Sequence, residues 1–198
     1  MNSKQHMTGY LEIILGPMFS GKTSKILEIY KQCVFSNIPV IAINHSSDTR
    51  YSETMISTHD RQMIPCIQTD KLYSLRTNEE LYQKFADSKV ILINEGQFFE
   101  DLYEWVIEMV GDFKKEIYVC GLDGDFNRNK FGSILNLIPH CDKVNKLKSL
   151  CSMCKDGTRA IFSHRMSQER QQVLIGSDCY KPVCRKCYEQ NNIPHQES

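Results

Sequence analysis

The chain has 198 residues, 41% of them hydrophobic, with 24 Lys and Arg against 24 Asp and Glu for a formal net charge of zero. That apolar content excludes a disordered chain and supports one main domain with room for a small appendage, while zero net charge argues against a dedicated nucleic-acid binder. No apolar run reaches membrane-span length and the polar start Met1-Asn2-Ser3-Lys4-Gln5-His6 has no signal-peptide core behind it, so a soluble cytoplasmic protein with reduced thiols is expected.

The first apolar run, Leu11 to Leu15, reads as a buried strand. Directly after it stands Gly16-Pro17-Met18-Phe19-Ser20-Gly21-Lys22-Thr23, the pattern G-x-x-x-x-G-K-S/T, and Thr23 to Phe35 continues with helical periodicity. In a phosphate-binding loop of this kind the glycines let backbone N–H groups turn toward phosphate oxygens. The lysine reaches the outer phosphates and the Thr hydroxyl ligates Mg²⁺. A nucleoside triphosphate is therefore the expected ligand; a Gly-rich turn without one is the plainer alternative.

Val40 to Ile43, Val90 to Ile93 and Ile117 to Leu122 repeat the buried-strand pattern, with helices expected over Asn78 to Ala86 and Leu102 to Phe113. The alternation predicts an α/β fold with an open, mostly parallel sheet and crossover helices on both faces. Between the second strand and the next helix, Ser46 to Met63 is polar and aperiodic and reads as a mobile loop near the phosphate site. The third strand ends in Asn94-Glu95-Gly96-Gln97, where a phosphate site needs an acidic partner. Asn94 holds the expected aspartate position and Glu95 is the acid at the tip, placed to accept a proton from an attacking hydroxyl. A surface Glu closing a turn is the alternative reading.

Past Lys148 the character changes, and a boundary near Asn145 divides a nucleotide-binding domain (1–145) from a smaller one (146–198). Cys151-Ser152-Met153-Cys154 and Cys184-Arg185-Lys186-Cys187 are two C-x-x-C knuckles, whose four thiolates make the closed tetrahedral set of a structural Zn²⁺ site. Their separation is longer than in the usual zinc ribbon, and a hairpin of Ala160 to Phe162 with Val173 to Ile175 would fill the interval. A redox pair and ordinary buried cysteines are the other readings of such spacing. Cys33, Cys66, Cys120, Cys141 and Cys179 read as packing residues. Lys143, Lys146, Lys148, Lys155 and Arg159 make a locally basic stretch, read as a solvated face.

The phosphate loop, Asp48-Thr49-Arg50-Tyr51, Thr58-His59-Asp60, Glu95-Gly96-Gln97-Phe98-Phe99, Leu122-Asp123-Gly124, Gly176-Ser177-Asp178-Cys179-Tyr180 and Cys184-Arg185-Lys186-Cys187-Tyr188, taken in that order, resemble the thymidine kinases of the cellular and poxvirus type. The resemblance runs from about Tyr10 to Tyr188. It implies ATP-dependent phosphorylation of the thymidine 5′-hydroxyl, a RecA-like α/β domain, a zinc domain whose lasso loop covers the base, and a homotetramer. By position it makes Glu95 the general base and gives Lys22 and Arg50 charge stabilisation. Thr23, Asp48, Asn94 and Gln97 join the loop on the nucleotide and Mg²⁺ side. The base pocket maps to Met18, Phe98, Leu122 and Phe126, closed by Tyr180 and the stretch holding Ser163, Gln172, Leu174, Ile175 and Gly176, much of it through main-chain groups.

Four departures from the family pattern stand out: Asn94 for aspartate, Ser163 for a common threonine, Gln172 for an apolar residue, and a lasso one residue shorter. The neutral amide at 94 contributes no charge to a Mg²⁺-bound water, so weakened Mg²⁺ binding is expected. Two further classes remain open, a catalytically weakened nucleotide-binding member of the family and a P-loop ATPase acting on nucleic acid.

Overall fold

The computed structural model describes residues 8–48, 54–58, 62–167, 169, 171–172 and 179–191. In chain order the elements are β1 (Tyr10–Leu15), α1 (Lys22–Phe35), β2 (Val40–His45), β3 (Met55–Ser57), β4 (Met63–Pro65), β5 (Ile67–Thr69), α2 (Ser74–Thr77), α3 (Glu79–Asp87), β6 (Val90–Ile93), α4 (Leu102–Gly111), β7 (Glu116–Gly121) and β8 (Lys143–Lys146). Then come β9 (Ser149–Leu150), β10 (Arg159–Ala160), β11 (Phe162–Arg165), β12 (Tyr180–Val183) and α5 (Arg185–Asn191), with 3₁₀ turns at Gly96–Phe98 and Ile134–His140.

Six strands form one parallel sheet in the order β5-β2-β6-β7-β1-β8. The four apolar runs of the sequence are its interior strands β2, β6, β7 and β1, because a parallel strand covered on both faces reads as continuous hydrophobic text. The edges, β5 and β8, are short and polar. On β8 the exposed Lys143 and Lys146 make the outer edge unattractive to a further strand, and the whole basic stretch lies in solvent as expected.

Alternation sorts each strand between two cores. Leu11, Ile13, Ile91, Ile93, Ile117 and Val119 meet Phe85 of α3 and Leu102, Trp105, Val106 and Met109 of α4. Ile14, Leu92 and Cys120 meet Ile26, Leu27, Ile29 and Cys33 of α1 on the opposite face. Burying each such large apolar side chain contributes about 1.5–3 kcal/mol. The α/β architecture with helices on both faces is thus the one expected.

Two local expectations need correction. Within the segment read as a loop, Met55–Ser57 is a strand, paired antiparallel with Met63–Pro65, and its Ile56 and the facing Ile64 are buried under α1. Each strand has a single buried apolar residue at its centre, too little for periodicity to register. Near the C-terminus, Ala160 and Phe162 fall in different strands: β10 pairs with β9 and β11 pairs antiparallel with β12, while the expected partner 173–175 lies outside the described residues. Pro182 within β12 hides that strand, since proline argues against strand structure except where its missing N–H is not needed.

The second, smaller core holds Cys151, Ala160, Val183, Cys184, Cys187 and Tyr188. It begins where the chain leaves the large sheet after Lys146.

Candidate functional site

Because the six strands run parallel, all their C-terminal ends open on one edge, where α/β sheets bind ligands. The loops after β1, β2, β6 and β7 carry the phosphate loop, Asp48, Glu95 to Phe99 and Leu122 to Gly124. β1 sits inside the sheet, so its loop has neighbours on both sides.

The phosphate loop is built by backbone geometry. Gly21 has φ 86 at the start of α1, and a Cβ on Gly16 would stand 2.6 Å from Ser20 Oγ and 2.8 Å from the Leu147 carbonyl. Glycine is needed at both positions. Lys22 is buried, its Nζ donating to the carbonyls of Gly16 at 3.0 Å and Pro17 at 2.9 Å. Ser20 Oγ is buried with no hydrogen-bond partner, and Thr23 is half-buried in the first turn. A folded-back lysine, an orphan hydroxyl and a left-handed turn fit a triphosphate, whose oxygens would take over from the loop carbonyls. The backbone N–H of Met18 donates to Ser163 Oγ at 2.9 Å, tying the loop to β11 of the smaller unit.

At the tip of β6, Glu95 adopts φ 53 and ψ 40, a left-handed conformation that costs a non-glycine residue stability and marks functional sites. Its Oε2 accepts from Gln97 Nε2 at 2.7 Å, while Gln97 Oε1 accepts from the Leu122 backbone N–H at 2.9 Å. Gln97 is therefore a strut between the ends of β6 and β7 that aims the Glu95 carboxylate. Behind them the fully buried Cys120 has its thiol pushed far up by burial, which leaves it inert.

Asn94 is buried, and its Nδ2 donates to Asn44 Oδ1 at 3.0 Å; Asn44 Nδ2 in turn donates to Asp48 Oδ2 at 3.2 Å. The sequence reading missed Asn44. Its signal was available, for Ile43-Asn44 and Ile93-Asn94 end two apolar runs identically.

Around the expected base pocket, Phe98 packs edge-on against Phe131 with centroids 5.4 Å apart and lies 5.6 Å from the His45 ring. The Arg165 guanidinium stacks 3.7 Å from the Phe126 centroid and 5.1 Å from that of Tyr180. It donates to the carbonyls of Glu169, Gln171 and Gln172 and to Tyr180 Oη. Gln172 turns its amide to Asp125 Oδ2 at 2.9 Å, so its polarity serves an anchor between the smaller unit and the loop after β7. Asp125 and Arg165 were not singled out from sequence; a buried Asp and a buried Arg are visible only once the two units are together. Arg50, Leu174, Ile175 and Gly176 lie outside the described residues, together with Thr49, Tyr51, His59 and Asp60.

The four sulfurs of Cys151, Cys154, Cys184 and Cys187 lie within 4.8 Å of one another, with Cys154 at 3.7 Å from Cys184 and 3.4 Å from Cys187. A tetrahedral ion with Zn–S of about 2.3 Å requires sulfurs about 3.8 Å apart, so the cluster fits. Burial pushes the Cys151 thiol up, but the N–H groups of Cys154, Cys184 and Met153 outweigh it and hold the group at about 6. Hydrogen bonding with Cys187, Cys151 and Cys184 pushes Cys154 up to about 12. One corner of the cluster thus favours thiolate while another resists it, and a cation is what lets all ionise together. The other five cysteines stay apart from this group.

A parallel sheet with this loop at the end of an interior strand, and an oriented carboxylate two strands away, defines a P-loop nucleotide-binding protein of the phosphotransferase kind. The sequence profile described as thymidine kinase matches residues 9–188. Thymidine kinase a of Arabidopsis thaliana is 39% identical over 189 residues, covering 94% of this chain and 77% of the plant protein. The thymidine kinase of Yaba monkey tumor virus is 38% identical over 95% of this chain and 97% of its own, and the cytosolic thymidine kinase of Gallus gallus is 37% identical over 92% and 78%. The chain belongs to the thymidine kinase family.

Proposed function

We infer that this protein transfers the γ-phosphoryl group of ATP to the 5′-hydroxyl of thymidine, and that deoxyuridine is the nearest alternative acceptor. Family membership supports the reaction class. The observation that carries the assignment of roles is Glu95, held in a left-handed turn and aimed by Gln97 beside the phosphate loop. As general base it takes the proton of the attacking hydroxyl. Lys22, released from the carbonyls of Gly16 and Pro17, and Arg50 stabilise charge on the transferring group.

Thr23, Asp48 and Asn94 are the residues suited to Mg²⁺ and its waters; when bound, the ion neutralises charge on the phosphates. Met18, Phe98, Leu122 and Phe126 form the base pocket, and the lasso from Ser163 through Tyr180 closes it, with Gln172, Leu174, Ile175 and Gly176 contributing along its length. The four cysteines hold a structural Zn²⁺ that fixes this lasso unit, 146–198, as a domain beside 1–145. A cytoplasmic homotetramer completes the reading. Among the described residues no helix is long and apolar enough to cross a membrane. Labelled ATP offered with thymidine, deoxyuridine or DNA tests the proposal: label in a nucleoside monophosphate supports it, whereas ATP hydrolysis stimulated by DNA without such product sinks it.

A further inference from the structure

Strands β2 and β6 pair with Ile43 opposite Ile93, which puts Asn44 and Asn94 side by side at the ligand edge. Both are essentially removed from solvent, with 2% and 3% exposure. The hydrogen bonds run in one direction, from Asn94 to Asn44 to Asp48. That direction is imposed from its far end. An ionised carboxylate only accepts, so Asn44 must turn its amide nitrogen toward Asp48, which leaves its oxygen facing residue 94. Residue 94 must then be a donor. Asparagine satisfies this and an aspartate does not: it would set two acceptors against each other in a buried site, or force Asn44 to flip and present its oxygen to Asp48.

We propose that Asn94 is a positioning residue acting through Asn44 to orient the Asp48 carboxylate, and that Asp48, rather than residue 94, supplies the charged contact to the hydrated Mg²⁺. The proposal rests on the kinase reading for its metal, but the relay itself is a property of the chain alone. On this view the amide at 94 is one half of a matched pair with Asn44. Putting back a carboxylate at 94 alone brings no gain in metal binding, contrary to what charge counting at that position predicts.

The relay can be reversed. With Asp48→Asn and Asn94→Asp together, Asn44 donates to the new carboxylate at 94 and accepts from the new amide at 48, so every buried group is again satisfied. Three variants are compared with the unsubstituted chain: Asn94→Asp, Asp48→Asn and the double. The first readout is the thermal midpoint of the zinc-loaded protein with neither Mg²⁺ nor nucleotide added, which involves no activity. Asn94→Asp should lower it by about 3 °C or more, Asp48→Asn should change it little because an amide oxygen also accepts, and the double should recover most of the loss. The second readout is Mn²⁺ affinity in the presence of ATP, titrated by electron paramagnetic resonance. Asp48→Asn should weaken it about ten-fold, and Asn94→Asp should not tighten it.

A ten-fold tightening by Asn94→Asp alone with an unchanged midpoint overturns the proposal, as does a double variant no more stable than Asn94→Asp. If Asp48→Asn leaves Mn²⁺ affinity intact, the metal part is wrong. Thymidine phosphorylation by the unsubstituted chain is measured alongside. Its absence would count against the kinase reading, while the midpoints without added Mg²⁺ would still decide the relay.

Discussion

Glu95 is held from two directions, by its own backbone at φ 53 and by Gln97 through a 2.7 Å hydrogen bond. A carboxylate so oriented can receive a proton without first losing rotamer freedom, which is the part of the barrier that positioning removes. Glu95→Gln keeps the size of the side chain and the bond to Gln97 in altered polarity, but cannot accept the proton. It should lower kcat for thymidine phosphorylation by about 10²-fold or more while ATP affinity stays nearly constant. Retention of more than about a tenth of kcat would show that another group is the base. Glu95 was legible in the sequence because it directly follows a buried run and lies in a motif of adjacent residues. Asn44 was not, because its meaning depends on the register of β2 against β6, which no local pattern encodes.

At the scale of elements, the strap formed by β11 and β12 is organised by Arg165. Its guanidinium lies against Phe126 and Tyr180 and gathers the carbonyls of Glu169, Gln171 and Gln172. A planar fork with five donors can serve several carbonyls while its face stacks on a ring; a lysine cannot. Arg165→Lys should therefore loosen the lasso and raise the KM for thymidine about ten-fold or more, with a smaller change in kcat and none in the KM for ATP. Equal loss in both KM values would mean that the whole phosphate edge had moved, and that Arg165 is a general support. The interior strands and their helices were predictable from apolar runs, whereas this strap was not. β12 contains Pro182, and its partner strand carries the polar residues Ser163, His164 and Arg165, buried where Ser163 meets Met18, Arg165 meets Phe126 and His164 packs on Tyr188. Pro182 is tolerated because its carbonyl still accepts from the Ser152 N–H and hydroxyl, so the strand is anchored without the missing donor.

At the scale of the molecule, one buried and one half-buried histidine among the described residues contribute to its behaviour in acid. Burial holds His164 below the usual imidazole range, with Lys181 adding to the shift. Burial does the same to His45 against the opposing pull of Asp70, Asp101, Asp48 and Glu95, and the Ser47 N–H donating to its Nδ1 keeps that nitrogen unprotonated. Below pH of about 6.5 the unfolded chain binds protons that these folded imidazoles refuse, so stability is complete above that pH and falls as pH is lowered toward their folded values. The slope is at most about 1.4 kcal/mol per pH unit for each proton. Thermal midpoints between pH 7.5 and 5 should fall, and His164→Gln should flatten the fall; an unchanged slope would show that His164 already carries a proton in the folded protein.

The smaller unit has a core of only a few side chains, with Cys151, Cys184 and Cys187 among them, so its order depends on what those thiols hold. A Zn²⁺ bound there contributes folding free energy directly, and through Ser163 on β11 that order reaches the Met18 N–H in the phosphate loop. The contact is a single neutral hydrogen bond, worth about 1 kcal/mol. It is enough to bias the loop and too little to fold it. Cys184→Ser with Cys187→Ser should therefore abolish zinc, which is expected at about one ion per chain, and unfold the lasso unit at a lower temperature than the sheet. Thymidine binding should be lost with it. ATP binding should survive with no more than about a five-fold loss, since the sheet, α1 and Lys22 do not depend on the metal. Elemental analysis and nucleotide titration of the same preparations decide the matter: full zinc content in the variant removes these thiols as ligands, and loss of ATP binding together with zinc makes the two units a single cooperative structure.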